Sequence, residues 1–235
     1  MLIVIFPIAI NTTIVEYMGK TAIIIGATGA TGNHLLRLLL LDKRYDSIKL
    51  FSRSSCKINH PKIKEYLGNL FELEKQIEEF TADEVFCCIG TTKKQTPDES
   101  IYRKIDFGIP VTAAKIAKQN KIPKFLVMSS MGANSKSNAF YTRTKGEMEE
   151  SISNFKIAST YIFRPSLLIR NSKETRILES IGASFMKATN FLFLGSLKKY
   201  RAIKTITVAS AMIEVANSKL ESSLFLSDEI QKLGA

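Results

Sequence analysis

Tryptophan is absent from this chain of 235 residues, and cysteine occurs only three times. Cys87 and Cys88 are neighbours in an apolar run and no C-x-x-C pair occurs, which excludes a disulfide framework and a thiolate metal site. No metal is expected, and so sparing a use of cysteine predicts a reducing compartment, read as the cytoplasm. Apolar runs long enough to span a bilayer are also missing. MLIVIFPIAI, residues 1–10, is too short and contains Pro7. It lacks a basic leader and an A-x-A-like cleavage site, so it is not expected to be a signal peptide. It passes into polar NTTIVEY, and Met18 reads as a natural start. Residues 1–17 are therefore expected to be an appendage outside the fold, and residues 18–235 one domain.

Acidic side chains are the minority, 22 against 33 basic ones, for a net charge of +11. That balance admits nucleic acid, a membrane surface or anionic small ligands. The cations fall in short scattered clusters (Lys57 to Lys64, Lys93-Lys94, Lys198 to Lys204), with no RNP, zinc-finger or helix-turn-helix pattern. Nucleic acid is not an expected partner. A peripheral membrane contact and a protein partner remain open.

What is present is an alternation of short apolar runs with longer amphipathic stretches. Strands are expected at 21–25, 48–52, 63–67, 84–89, 124–129, 159–163 and 223–227, and helices at about 30–42, 72–80, 98–120, 140–155, 174–190 and 206–219. That β-α-β-α order predicts an α/β fold, a doubly wound parallel sheet with ligands outside the carboxyl ends of its strands.

GATGATG follows the first strand and opens the first helix. In that setting Gly26 permits a tight turn, Gly29 lets backbone approach a pyrophosphate and Gly32 lets the helix pack on the strand. Helix-start N–H groups would meet the phosphates. The second strand ends in LFSRSS, without the carboxylate that would accept from the adenosine ribose of NAD. Arg53, aided by Ser52, Ser54 or Ser55, can instead fork onto a 2′-phosphate, so NADP(H) is the expected cofactor. Asn69 stands where a polar group would meet adenine, and CCIGTT (87–92) ends the fourth strand in a glycine turn.

Three tyrosines have a lysine four residues on: Tyr45/Lys49, Tyr141/Lys145 and Tyr200/Lys204. Only Tyr141/Lys145 follows an apolar strand ending in Ser129-Ser130 and a polar loop. Positions 141, 145, 148, 152 and 155 share a helical face that Met148, Ile152 and Phe155 make apolar, so a lysine there needs a partner. A nearby ammonium favours phenolate, which suits Tyr141 to pass a proton to a carbonyl oxygen as hydride arrives. Ser130, or Ser129 if the loop turns differently, would hydrogen-bond that oxygen. Lys145 could also hold the nicotinamide ribose. The alternative is that these residues only bind cofactor.

IIIGATGATGNHLL, FSRS, VFCCIGTT, MSSMGANSKSNAFYTRTKGEMEE and FRPSLLI, in this order, resemble the short-chain dehydrogenase/reductase superfamily, and within it the atypical Tat-interacting-protein-like oxidoreductase group. The resemblance implies a Rossmann fold binding NADPH, with Tyr141 as proton donor or acceptor and Lys145 assisting. It implies cofactor contacts from Thr28, Gly29, Ala30, Thr31, Arg53, Ser54, Ile89 and Gly90, and places Pro165 and Leu168 near the nicotinamide, with Arg176 matching an arginine of the following segment. Ser166 replaces a glycine of the group's pattern, and Asn69 an aspartate. Substrate specificity is expected in 170–205, where no residue names the small-molecule substrate. An NADPH-dependent oxidoreductase acting on a carbonyl or alcohol is the leading expectation. The competing ones are a non-catalytic NADPH-binding module that signals occupancy to a protein partner, and a basic protein holding RNA or lipid headgroups.

Overall fold

The first strand explains the architecture. In KTAIII every side chain from Ala22 to Ile25 is fully buried, alternate residues going to opposite faces. Ala22 and Ile24 join one apolar cluster with Leu35, Leu36, Leu39, Val208 and Met212, while Ile23 and Ile25 join a second with Ala113, Ile116, Met148 and Ile152. A strand apolar on both faces belongs in the middle of a parallel sheet covered on both sides by helices.

The computed structural model describes residues 19–170, 201–220 and 222–235. Seven parallel strands form one sheet in the order β3-β2-β1-β4-β5-β6-β9: β1 (Lys20–Ile25), β2 (Tyr45–Ser52), β3 (Ile63–Leu67), β4 (Glu84–Cys87), β5 (Lys124–Met128), β6 (Ser159–Arg164) and β9 (Leu224–Leu226). Helices α1 (Ala30–Leu41) and α5 (Thr205–Asn217) cover one face. Helices α3 (Ile109–Gln119) and α4 (Phe140–Asn154) cover the other. This is the doubly wound, single-domain Rossmann-like fold expected.

The differences are local. β4 stops at Cys87 instead of continuing to Ile89, because after Cys88 donates its N–H to Ile25 the chain leaves the sheet. The helix expected at 72–80 is a 3-10 helix over Leu70–Gln76, started by the Asn69 side chain accepting from the Phe71 N–H. The stretch 98–120 is α2 (Glu99–Arg103), a π-helical turn (Lys104–Gly108) and α3. Pro110 explains the interruption: it lacks an N–H, and its ring would press on the Asp106 carbonyl four residues back, so the helix widens there. A two-stranded parallel pair, β7 (Leu168–Ile169) with β8 (Ile203–Lys204), and a terminal helix α6 (Ser227–Leu233) had no counterpart in the sequence reading. The helix at 174–190, Arg176 and residues 1–17 lie outside the described residues, as does 171–200, nearly all of the expected substrate region.

Candidate functional site

A cleft of about 670 Å³ runs along the carboxyl ends of the central strands. Its floor is the turn between β1 and α1. Gly26 has φ +89°, and a Cβ there would lie 3.0 Å from the Cys88 carbonyl and the Ile89 nitrogen. A Cβ on Gly32 would sit 2.1 Å from the Gly26 carbonyl oxygen, so Gly32 brings α1 down onto the loop without itself lining the cleft. The Gly29 N–H closes the turn onto the Gly26 carbonyl at 3.0 Å. Gly29 caps α1 with no side chain, and no carboxylate stands in the first turn. Thr28, Gly29, Ala30 and Thr31 therefore present a positive helix terminus to the cleft.

At one end of the cleft Arg53 is exposed at the end of β2, and Asn69, Leu70 and the half-exposed Phe71 line the wall beside it. Ser54 does not line the cleft; its carbonyl accepts the Ser52 hydroxyl at 2.8 Å. The Asn69 side-chain oxygen is engaged in starting the 3-10 helix, and its amide NH2 group bonds the Glu72 carboxylate.

At the other end stand Ser129, Tyr141 and Lys145, with Ile89, Gly90 and Leu168 beside them. Of the two serines, Ser129 lines the cleft. Its Oγ is buried with no hydrogen-bond partner and it lines the cleft, while Ser130 lies outside the lining with its hydroxyl 3.4 Å from the Met131 carbonyl. A buried hydroxyl left unpaired costs free energy unless a ligand satisfies it. Pro165 is also outside the lining; its carbonyl accepts the Met131 N–H and fixes the turn after β5. Tyr141 is 43% exposed, its ring meeting Tyr102 edge-on at 6.3 Å.

The partner that Lys145 requires is Asp106. The ammonium lies 2.8 Å from Asp106 Oδ1 and 3.5 Å from the Met128 carbonyl oxygen, with both side chains of the pair almost completely buried. Asp106 Oδ2 accepts the Thr91 N–H at 2.8 Å, so one carboxylate ties the lysine to the wall formed by Gly90 and Thr91. Burial alone would lower the Lys145 pKa, but Asp106 and Tyr141 outweigh it and leave the lysine above its ordinary value. Burial pushes the neighbouring Cys87 thiol up to about 12. Burial, with Asp106 and Tyr141 adding to it, raises Tyr102 as well.

Sequence reasoning missed Asp106, along with Gln95 and Thr96 of the lining. A signal for Asp106 existed: the helix-breaking Pro110 stands four residues after it. Among the described lining residues Asp106 is the sole carboxylate, against Arg53, Lys145 and Arg170. With its glycine cradle, uncapped helix terminus and orphaned Ser129 hydroxyl, the cleft suits an extended, polyanionic dinucleotide. Among the described residues no cluster of metal-ligating side chains occurs.

Comparison with known proteins agrees. Residues 26–219 match the family described as NAD(P)H-binding. Protein FMP52-1, mitochondrial, of Scheffersomyces stipitis is 30% identical over 185 residues, covering 75% of this chain and 81% of that protein. Protein HTATIP2 of Rattus norvegicus is 27% identical over 202 residues, covering 84% of this chain and 81% of that protein. The Bordetella bronchiseptica enzyme WbmH, solved in complex with NAD+, shares the fold with a TM-score of 0.65 at 15% identity, over 92% of this chain and 80% of that one. The cytoplasmic expectation is corrected by these matches. FMP52 proteins of Scheffersomyces stipitis, Meyerozyma guilliermondii and Candida albicans are named mitochondrial, pointing to mitochondria instead. Free thiols report a reducing environment, and that property is not unique to one compartment.

Proposed function

Since the chain belongs to the NAD(P)H-binding family of Rossmann proteins, with short-chain-dehydrogenase-like neighbours, we propose that it is an NADPH-dependent oxidoreductase acting on a carbonyl or alcohol, working in mitochondria as its FMP52 relatives' names indicate. The observation that carries this reading is the meeting of Ser129, Tyr141 and Lys145 in the same cleft as the uncapped start of α1. When bound, the cofactor supplies or accepts the hydride. The rest falls to the chain. The Ser129 hydroxyl, which has no partner of its own, donates to the substrate oxygen and orients it. The Tyr141 phenol is the proton donor in reduction and its phenolate the acceptor in oxidation. Lys145, kept cationic by Asp106, stabilises the phenolate and can hydrogen-bond ribose hydroxyls.

The preference for NADPH rests on Arg53. No carboxylate lines the cleft beside it, where a 2′-phosphate would otherwise be repelled and a ribose 2′-hydroxyl favoured. Charge-assisted bonds from this guanidinium would contribute about 1.5–3 kcal/mol. Titration of the purified protein with NADPH and NADH, followed by nicotinamide fluorescence, tests this. The expected result is tight NADPH binding that Arg53→Ala weakens roughly 10- to 150-fold at that energy, with NADH little changed. Equal loss for both cofactors would refute the assignment. Tyr141→Phe should keep NADPH binding and abolish turnover in a carbonyl-substrate screen. Unchanged turnover in that variant would remove Tyr141 from the chemistry. Cofactor binding without turnover on any carbonyl would favour the regulatory reading, in which occupancy is passed to a partner.

A further inference from the structure

A second helix begins at the cleft, beyond Tyr141 and away from Arg53. Helix α5 starts at Thr205, a buried residue of the lining, and runs to Asn217, which accepts from Lys20 where β1 begins. It has no side-chain cap and no carboxylate in its first turn, and its N-cap is Lys204. The N–H groups at such a start have no partner within the helix, and the aligned peptide dipoles make it positive. The β7-β8 register sets Ile169 beside Lys204, and the Thr205 hydroxyl donates to the Ile169 carbonyl at 3.4 Å. Arg170, the next residue, is exposed and lines the cleft together with this helix start. Arg170 also interacts within the chain, and the five donors of its guanidinium allow an anion to share it.

A helix start alone does not define a ligand, but the rest of this end points to one. Ser129 is 5% exposed, has no partner for its Oγ and lines the same cleft. Asp106, the sole carboxylate of the described lining, is already spent on Lys145 and on the Thr91 N–H, each at 2.8 Å. It therefore neither attracts a cation nor repels an anion. The loop after β4 adds polar Thr92, Gln95 and Thr96. That loop is held at the Tyr141 end, because Tyr102, edge-on to Tyr141, donates to the Thr91 carbonyl at 3.2 Å. Leu167 and Ile206, though exposed, lie outside the lining.

Resting on the oxidoreductase reading above, we propose that this end of the cleft is an anion subsite and that the substrate is a carbonyl compound bearing a carboxylate or a phosphate. Arg170 and the start of α5 hold the anionic group while the carbonyl oxygen meets Ser129 and Tyr141. The phosphates of the cofactor are met by the start of α1 and by Arg53, so the second positive end is left for the substrate. A neutral carbonyl compound would make no use of it.

The test takes the full chain saturated with NADP+, so that the start of α1 and Arg53 are occupied, and two matched pairs of probes: succinic semialdehyde with butyraldehyde, and dihydroxyacetone phosphate with dihydroxyacetone. In calorimetry the anionic member of at least one pair should bind roughly 10-fold or more tightly than its neutral partner, as charge-assisted hydrogen bonds require. The pair with the larger ratio tells carboxylate from phosphate. Arg170→Met should erase the ratio. Lys204→Asp supplies the cap that α5 lacks, so it should hold or raise the melting temperature while cutting the ratio several-fold, an effect that a folding defect does not imitate. Equal binding within both pairs, or a ratio that survives both substitutions, overturns the proposal. Turnover, read separately as NADPH oxidation, tests the parent reading. Anionic probes that bind through Arg170 but are never reduced would sink the oxidoreductase and leave the subsite standing. Neutral probes reduced as efficiently as their anionic partners would do the reverse.

Discussion

Replacing Asp106 by Ala removes the carboxylate that holds the buried Lys145 ammonium, and the size of the effect can be worked from the surroundings. Lys145 has 5% of its side chain exposed, and after the substitution its nearest remaining acceptor is the Met128 carbonyl oxygen at 3.5 Å. Breaking a buried pair from one side costs about 3–5 kcal/mol. The lysine can escape by releasing its proton, and that sets a ceiling. From the ordinary lysine value of 10.5, deprotonation costs about 5 kcal/mol at pH 7 and about 2 kcal/mol at pH 9. Losing the bond from the Thr91 N–H adds about 1 kcal/mol at either pH.

The sign of the pH dependence therefore differs between the two proteins. In the wild type the folded Lys145 pKa is raised, so its contribution is complete below the unfolded lysine value and disappears only as pH climbs through the higher folded one. Between pH 7 and 9 the pair adds no slope. In Asp106→Ala the folded pKa falls below the unfolded value, the unfolded chain binds the extra proton, and stability rises with pH. Urea unfolding followed by far-ultraviolet circular dichroism, at pH 7 and pH 9, should show a deficit of about 4–6 kcal/mol at pH 7 that narrows by about 2 kcal/mol at pH 9. A deficit independent of pH would refute the reasoning, since the loss would then come from packing or from Thr91 alone.

Glu149→Ala should cost about 2–3 kcal/mol in the same unfolding experiment, because Glu149 is 6% exposed and its two oxygens take both the Nε and an outer nitrogen of Arg164, joining α4 to β6; a loss under about 0.5 kcal/mol would mean the pair is merely a surface contact. Cys87, fully buried with its thiol pushed up to about 12, should resist a disulfide reagent at pH 8 until the protein unfolds. Rapid labelling of Cys87 in native buffer, read by peptide mass spectrometry, would contradict its placement.

Much of the fold could be read from local pattern. KTAIII and KFLVM are strands because their apolar residues are continuous enough to be buried on two faces, and GATGATG is a turn into a helix because only glycine tolerates the backbone at Gly26 and the close approach at Gly32. Element boundaries were less legible. β4 ends two residues early because the sheet's hydrogen bonds end there, a fact of pairing between distant segments, and the helix at 98–120 widens at a π-turn that periodicity alone does not reveal.

The candidate site divides in the same way. Sequence by itself determined the glycine cradle, the cation in place of a carboxylate after β2, and the Tyr141/Lys145 pair one helical turn apart, because each is set by neighbours within a few residues. Only the tertiary structure showed that Ser129 and not Ser130 lines the cleft, since that depends on how the turn after β5 is held by Pro165. It alone supplied Asp106, 39 positions before Lys145 in the numbering yet 2.8 Å from it. A buried charge must find its opposite through space, and sequence separation does not record which residue the packing of two helices will deliver.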